Sequence, residues 1–403
     1  MRFAELRIIA AFSAITLACV LPGCGGGSGS KSSSPANANN TQPIIVNAGP
    51  NGNYANGLFT TVTVCAPGTS NCQALGGVLV DTGSFGLRVL SSALTVPLTQ
   101  QKDSSGNSVA ECAQFSLGIT WGPVKTADVK IAGEQASAIP IQVIGDTAFS
   151  TVPSGCSAHG APQQDLKRLG ANGILGIGSF IQDCGPACES GTSNNPGFYY
   201  GCAGSSCQVI TQTATQQVQN PVAFFATDHN GVIIDLPAVS TSAPSVSGSL
   251  IFGIGTQTNN SLDSAQVLTL DPSTGNFSTK FNGTTYTNAG FIDSGSNAFF
   301  FLDSTKTGIP DCPSSLPGFY CPPSTANLTA TNIGANNTST VVNFTIDNAS
   351  TLFSNTSDNV FPTLGGPNPG TFDWGLPFFF GRKVYTAIEG MNTPGGPGPY
   401  WAY

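Results

Sequence analysis

Ionisable side chains are scarce in this chain. Asp, Glu, Lys and Arg together make up 8% of its 403 residues, and it has only two histidines, where an ordinary soluble domain is about 25% charged. Histidine-based catalysis and imidazole-ligated metal therefore have almost no material to work with. The Ala, Glu, Lys, Leu and Arg that build coiled coils and helix bundles are thin. The formal net charge is −8 with no basic cluster, which excludes a nucleic-acid partner. No apolar run reaches the roughly 20 residues that a helix needs to span a bilayer. What the chain has instead is 49 Gly, 28 Pro and 25 Phe, with 40% hydrophobic residues overall. That composition describes a β-rich, loop-rich globule, large enough for two lobes with real cores.

The N-terminus reads as a targeting segment. Arg2 and Arg7 precede an apolar run from Ile8 to Leu21, too short to cross a membrane. The run ends in Leu21-Pro22-Gly23-Cys24, which resembles a bacterial lipoprotein signal with Cys24 as the lipidated residue. Thr16-Leu17-Ala18-Cys19 is a weaker match, and a plain secretory signal with incidental cysteines is the other reading. Cleavage before Cys24 with lipidation of Cys24 leaves ten cysteines, an even number. Gly25 to about Asn40 has the Gly, Ser and Asn content of a flexible tether. The expected division is a signal over 1–23, a tether over 24–45, a first lobe over 46–230 and a second over 231–403. The lobes are expected to meet near residues 225–245.

In an exported chain the ten cysteines read as disulfides. There is no C-x-x-C pair, and no histidine lies at zinc-finger spacing. Cys65/Cys72, Cys184/Cys188, Cys202/Cys207 and Cys312/Cys321 are close pairs that bracket Gly, Pro or Ser. Cys112/Cys156 is then left by elimination.

Period-two alternation marks strands at Leu58–Val64, Val129–Ile131, Ile139–Ile144, Val232–Leu236, Ser249–Ile254 and Val341–Ile346. Turn signals such as Pro67-Gly68, Ala132-Gly133 and Asn282-Gly283 separate them. Helix candidates are few: Gln163–Leu169 and the stretch around Thr211–Gln219. His159 and His229 fall in turn-like contexts and are expected to be solvated. Gly173–Gly178 lacks the G-x-G-x-x-G spacing of a dinucleotide loop.

An internal repeat is the most informative feature. Val80-Asp81-Thr82-Gly83-Ser84-Phe85-Gly86-Leu87 recurs as Ile292-Asp293-Ser294-Gly295-Ser296-Asn297-Ala298-Phe299. Each copy follows an apolar strand opened by glycine and runs on into apolar residues. One Asp-[Ser/Thr]-Gly-Ser is unsurprising in so Gly- and Ser-rich a chain; two in matching contexts point to duplication. The chemistry of such a duplication is a carboxylate pair. Two Asp at about 3 Å cannot both ionise, so they share a proton. One then acts as base on water and the other as acid toward a carbonyl oxygen. Gly83 and Gly295 let the backbone turn and aim N–H groups at the carboxylates. The hydroxyls of Thr82, Ser84, Ser294 and Ser296 can orient them.

With these motifs, residues 54–390 resemble the pepsin-like aspartic peptidases. The chain also resembles a family of uncharacterised bacterial envelope lipoproteins, known as a domain of unknown function. The resemblance implies a mainly β, bilobal fold with few short helices. It places Asp81 and Asp293 at the catalytic positions, with Thr82 and Ser294 bonding across between the active loops. Ser84 and Ser296 would bond the outer carboxylate oxygens. Gly173-Ile174-Leu175-Gly176-Ile177-Gly178 matches the segment crossing behind the first active loop. Gly248–Gly253 resembles the strand opening the second half, and Gly375–Tyr385 the last strand region. Departures are present as well. Trp121 falls near the flap tyrosine, Arg88 stands where a tryptophan is usual, and Asp373-Trp374-Gly375 puts a carboxylate where an apolar residue belongs. Only a polar tether separates Cys24 from the first strand, so no inhibitory prosegment is expected.

The resulting expectation is an exported, lipid-anchored bacterial envelope protein acting as a monomeric aspartic endopeptidase, with Trp121 and Arg88 at the flap and cleft. The alternative is a non-catalytic lipoprotein that binds a peptide or polymer, a use of this architecture seen in plant inhibitor-type members. The expected partners are a peptide or protein in the cleft and a membrane reached through Cys24. No cofactor or metal is expected.

Overall fold

The computed structural model describes residues 40–191 and 195–403. The signal, Cys24 and the tether up to residue 39 lie outside the described residues. The tether does not extend to residue 45, because Thr41–Asn47 is a strand. It pairs antiparallel with both Gly57–Cys65 and Val246–Phe252, and its Ile44 and Val46 are buried. A run as short as Ile44-Ile45-Val46, entered through polar residues and Pro43, shows little alternation of its own. Its partners on both sides make it a strand.

The chain forms two large sheets, one of 16 strands and one of seven. In the larger, Gly57–Cys65, Cys72–Asp81, Gly173–Ile177, Phe85–Leu90, Glu134–Ile144 and Gly118–Ile131 are successive neighbours. Gly118–Ile131 then pairs back onto Gly57–Cys65, closing a barrel-like lobe and leaving no free edge there. The smaller sheet gathers Phe277–Phe281, Thr284–Ile292, Phe299–Leu302, Ala326–Ile333, Ser339–Ile346, Gly365–Gly366 and Asn368–Trp374. Thr41–Asn47, Val246–Phe252, Gly231–Leu236 and Arg382–Ala387 lie side by side, so strands from both halves of the chain join one sheet. The architecture is mainly β and bilobal.

The phenylalanines that stand out in the composition fill the second lobe. Phe301 meets Phe281, Tyr320, Phe344 and Phe372 with ring centroids 5.3 to 6.0 Å apart, contacts worth about 0.5–1.5 kcal/mol each beyond area burial. Among the described residues, helices are reduced to single turns. The candidate at Gln163–Leu169 shortens to Leu166–Leu169, opened by the Asp165 side chain accepting from the Arg168 N–H and closed at Gly170. Around Thr211–Gln219 only a 3-10 turn forms, Ala214–Gln216. That Thr- and Gln-rich stretch has no apolar stripe to bury, so nothing favours a longer helix.

Among the described residues there are five disulfides: Cys65–Cys72, Cys112–Cys156, Cys184–Cys188, Cys202–Cys207 and Cys312–Cys321. They suit an oxidising compartment. Among the described residues, no helix is long and apolar enough to cross a membrane. No group of three or more His, Cys, Asp or Glu there could hold a metal ion.

The bridges differ in the chain they close: Cys112–Cys156 spans a separation of 44 residues and Cys184–Cys188 only 4. Loop-closure entropy makes the first worth about 4 kcal/mol and the second about 2. Urea unfolding of the two double-Ala variants should show that order, and equal losses would contradict it.

Candidate active site

Each repeat motif is a turn between two strands with a third strand lying between them. Gly173–Ile177 runs parallel to Cys72–Asp81, with Gly176 opposite Asp81, and antiparallel to Phe85–Leu90. Asn368–Trp374 likewise runs parallel to Thr284–Ile292 and antiparallel to Phe299–Leu302. Both Asp-bearing turns are thus clamped at the same point. The segments expected to cross behind the active loops, Gly173–Gly178 and Asp373-Trp374-Gly375, do so.

The two turns hold one another through four hydrogen bonds. The Thr82 N–H donates to Ser294 Oγ at 3.1 Å and the Ser294 N–H to Thr82 Oγ1 at 2.9 Å. The Thr82 hydroxyl donates to the Ile292 carbonyl at 3.2 Å and the Ser294 hydroxyl to the Val80 carbonyl at 2.8 Å. Residues 212 positions apart therefore satisfy each other's backbone. Thr82 and Ser294 are both buried, at 2% and 0% exposure, so water cannot replace these bonds and losing a partner is expensive.

On this grip the carboxyls meet. Asp81 Oδ1 accepts from the Gly83 N–H and Oδ2 from the Ser84 hydroxyl, at 2.8 and 2.6 Å. Asp293 repeats the arrangement with Gly295 and Ser296, both at 2.8 Å. The Asp81 and Asp293 carboxyls face each other across the two turns, each close to the glycine of the opposite motif. A Cβ added at Gly83 would stand 2.6 Å from Asp293 Cγ, and one at Gly295 would stand 2.7 Å from Asp81 Oδ1. Glycine is thus required because the opposite carboxyl fills the space. Burial, and then the charge of Asp293, raise the Asp81 carboxyl well above its ordinary value; Ser84 and Gly83 oppose the rise. Gly83 is exposed while Asp293, Ser84, Gly295 and Ser296 are half-buried, so the pair opens to solvent on its glycine side.

Two residues beside the pair had no place in the expected site. Tyr54 feels both carboxyls: burial, then Asp81 and Asp293, push its phenol above the ordinary value. It lies on the loop leading into Gly57–Cys65, packed edge-on against Phe59, and nothing in the sequence pattern marks it. Asp373, noted only as a departure, shares a hydrogen bond with Ser296, its Oδ2 lying 2.6 Å from Ser296 Oγ. The repeat itself was the signal that could have placed it, since the crossing segment of each half passes beside its own Asp.

The two residues expected at the flap and cleft have other roles. Trp121 is fully buried, donates Nε1–H to the Phe149 carbonyl at 2.8 Å and packs edge-on against Tyr200. It belongs to a small core with Cys112 and Cys156, because a large aromatic beside a disulfide is worth more buried than exposed. Arg88 is 2% exposed and committed to Glu111, Asp183 and the Phe85 carbonyl. Asp183 also accepts from the Tyr199 hydroxyl at 2.6 Å. A guanidinium so engaged has no free face for a ligand. His159 is exposed, whereas His229 is half-buried rather than fully solvated.

Removing the Ser294 hydroxyl leaves the Thr82 N–H and the Val80 carbonyl without partners. Ser294→Ala should cost about 2–4 kcal/mol in urea unfolding and Ser84→Ala under about 1, and equal costs would contradict the grip. The raised Asp81 carboxyl also sets a pH dependence. Its native form keeps a proton that the unfolded chain loses near pH 4 or so, so its contribution is intact below that value and declines as pH rises through the folded one. Asp81→Asn, which keeps the shape of the neutral acid, should melt above the wild type near neutral pH and converge with it in acid. A variant that melts lower at neutral pH would contradict this.

The crystal structure of the aspartic proteinase from Irpex lacteus is similar to this chain, with a TM-score of 0.51 and 14% identity over 90% of this chain and 96% of that one. At that identity the likeness establishes the pepsin-like fold. No curated protein matches the sequence. Residues 36–403 match the family described as a protein of unknown function, DUF3443, and the chain, with its pepsin-like fold, belongs to that family.

Proposed function

We propose that the chain is an aspartic endopeptidase of the bacterial envelope, exported and held to a membrane by lipid at Cys24. The observation that carries this reading is the close approach of Asp81 and Asp293 on two mutually gripping turns, each carboxyl filling the space beside the opposite glycine. Two carboxyls in contact retain one proton between them near neutrality or below. The charged member takes a proton from a water held between the pair and a peptide carbonyl. The oxygen of that water bonds to the carbonyl carbon while the protonated member donates to the carbonyl oxygen. Collapse of the tetrahedral species breaks the C–N bond; one of its hydroxyls returns a proton to the member that donated it, and the proton taken from water passes to the leaving amine. Gly83, Ser84, Gly295 and Ser296 supply the fixed donors that hold the carboxyls in line. The five disulfides and the Leu21–Cys24 signal support an exported location.

The buried positions of Trp121 and Arg88 leave the flap and cleft without the two side chains expected there. The second reading is that the same cleft binds a peptide or polymer without cleaving it. A denatured protein substrate separates the two. The peptidase reading expects cleavage with an acidic optimum, lost by about a thousandfold or more in Asp81→Asn and in Asp293→Asn. Cleavage equal to wild type in either variant would overturn it. Tight peptide binding without cleavage by the wild type would establish the second reading.

A further inference from the structure

The duplication equates positions between the halves, and at one of them the halves differ in chemistry. Ile174 stands opposite Leu79 in one register and Arg88 in the other. Asp373 stands opposite Phe291 and Phe300, and these are the same offsets from the motif aspartates. An isoleucine behind the first carboxyl is therefore matched by a carboxyl behind the second.

Proton counting at Ser296 gives this carboxyl a role. Ser296 Oγ lies 2.8 Å from Asp293 Oδ2 and 2.6 Å from Asp373 Oδ2. A serine hydroxyl has one proton to donate, so it cannot serve two carboxylate oxygens at once. One of the two acids must itself be protonated and donate to Ser296. Asp373 is 7% exposed and its Oδ1 has no hydrogen-bond partner. An ion with an unsatisfied buried oxygen is far costlier than a neutral acid with the same oxygen unsatisfied. Asp293, by contrast, is half-buried and receives the Gly295 N–H as well. The charges that reach Asp373 are those of Asp293 and Asp81, and burial, then Asp293, hold its carboxyl well above the ordinary value.

We propose that Asp373 is a protonated positioning residue of this site: its O–H donates to Ser296 Oγ, commits the Ser296 proton to Asp293, and so makes Asp293 the charged member of the pair. Asp81, which has no such relay behind Ser84, then carries the shared proton. This deepens the peptidase reading and rests on it for roles: Asp293 is the base toward water and Asp81 the acid toward the carbonyl oxygen.

Infrared difference spectroscopy tests the protonation without any turnover. Near neutral pH, wild type minus Asp373→Asn should show the loss of a protonated-carboxyl C=O band. Loss of a carboxylate band instead would overturn the proposal. Asp373→Leu should fold, since Ile174 fills the equivalent place, but it removes the donor that polarises Ser296. The acidic limb of the pH–rate profile should rise by about half a unit to one unit in Asp373→Leu. In Asp373→Asn the amide N–H replaces the O–H and should keep the wild-type limb. An unshifted Asp373→Leu limb, or equal shifts in both variants, would refute the relay. Failure of the wild type to cleave would count against the peptidase reading alone, because the infrared result still decides whether Asp373 is protonated.

Discussion

Two carboxyl groups brought close together out of water resist both being charged, and the chain is built to hold Asp81 and Asp293 close. Left free, the turns that bear them would separate to relieve the repulsion. They are kept together by a reciprocal exchange in which the Thr82 and Ser294 side chains each serve the backbone of the opposite turn. These bonds lie out of water, where a lost partner is not replaced. Gly83 and Gly295 allow the approach, since each faces the opposite carboxyl at a distance that no Cβ could tolerate.

Much of the remaining structure supports that contact. A strand lodged between the entering and leaving strands of each turn fixes both Asp positions in the same way. The first lobe closes on itself through Gly118–Ile131 and Gly57–Cys65, and the second is filled by phenylalanines in edge-on and stacked contact. Thr41–Asn47 pairs with strands from both halves. The low charge content suits this design, because few other ionisable groups lie near enough to disturb the pair. Those that do, Tyr54 and Asp373, are raised by burial first and by the pair second.

Much of this was legible in the sequence because duplication writes the same local solution twice. The paired Asp motifs and their hydroxyl partners could be read from the repeat, and the crossing segments from the resemblance to pepsin-like peptidases. The disulfides could be read because their loops are short or left over. The misses have a common physical cause: they concern side chains whose surroundings come from distant parts of the chain. The resemblance to pepsin-like peptidases puts Trp121 and Arg88 at the flap and cleft, yet Phe149 and Tyr200 enclose one while Glu111 and Asp183 neutralise the other. Thr41–Ile45 looked like tether because its strand partners lie elsewhere, in Gly57–Cys65 and Val246–Phe252. Asp373 was visible as an oddity, but only the 2.6 Å contact with Ser296 shows what it touches.

The central claim is that the Asp81–Asp293 pair holds a single shared proton in the native state. The direct measurement is a carbon-13 NMR titration of aspartate side-chain carboxyls, assigned by comparison with the Asp81→Asn and Asp293→Asn variants. The account predicts that the two carboxyls titrate together in two well-separated steps, with one proton retained between them. Two independent, overlapping titrations near the ordinary aspartate value of about 4 would contradict it.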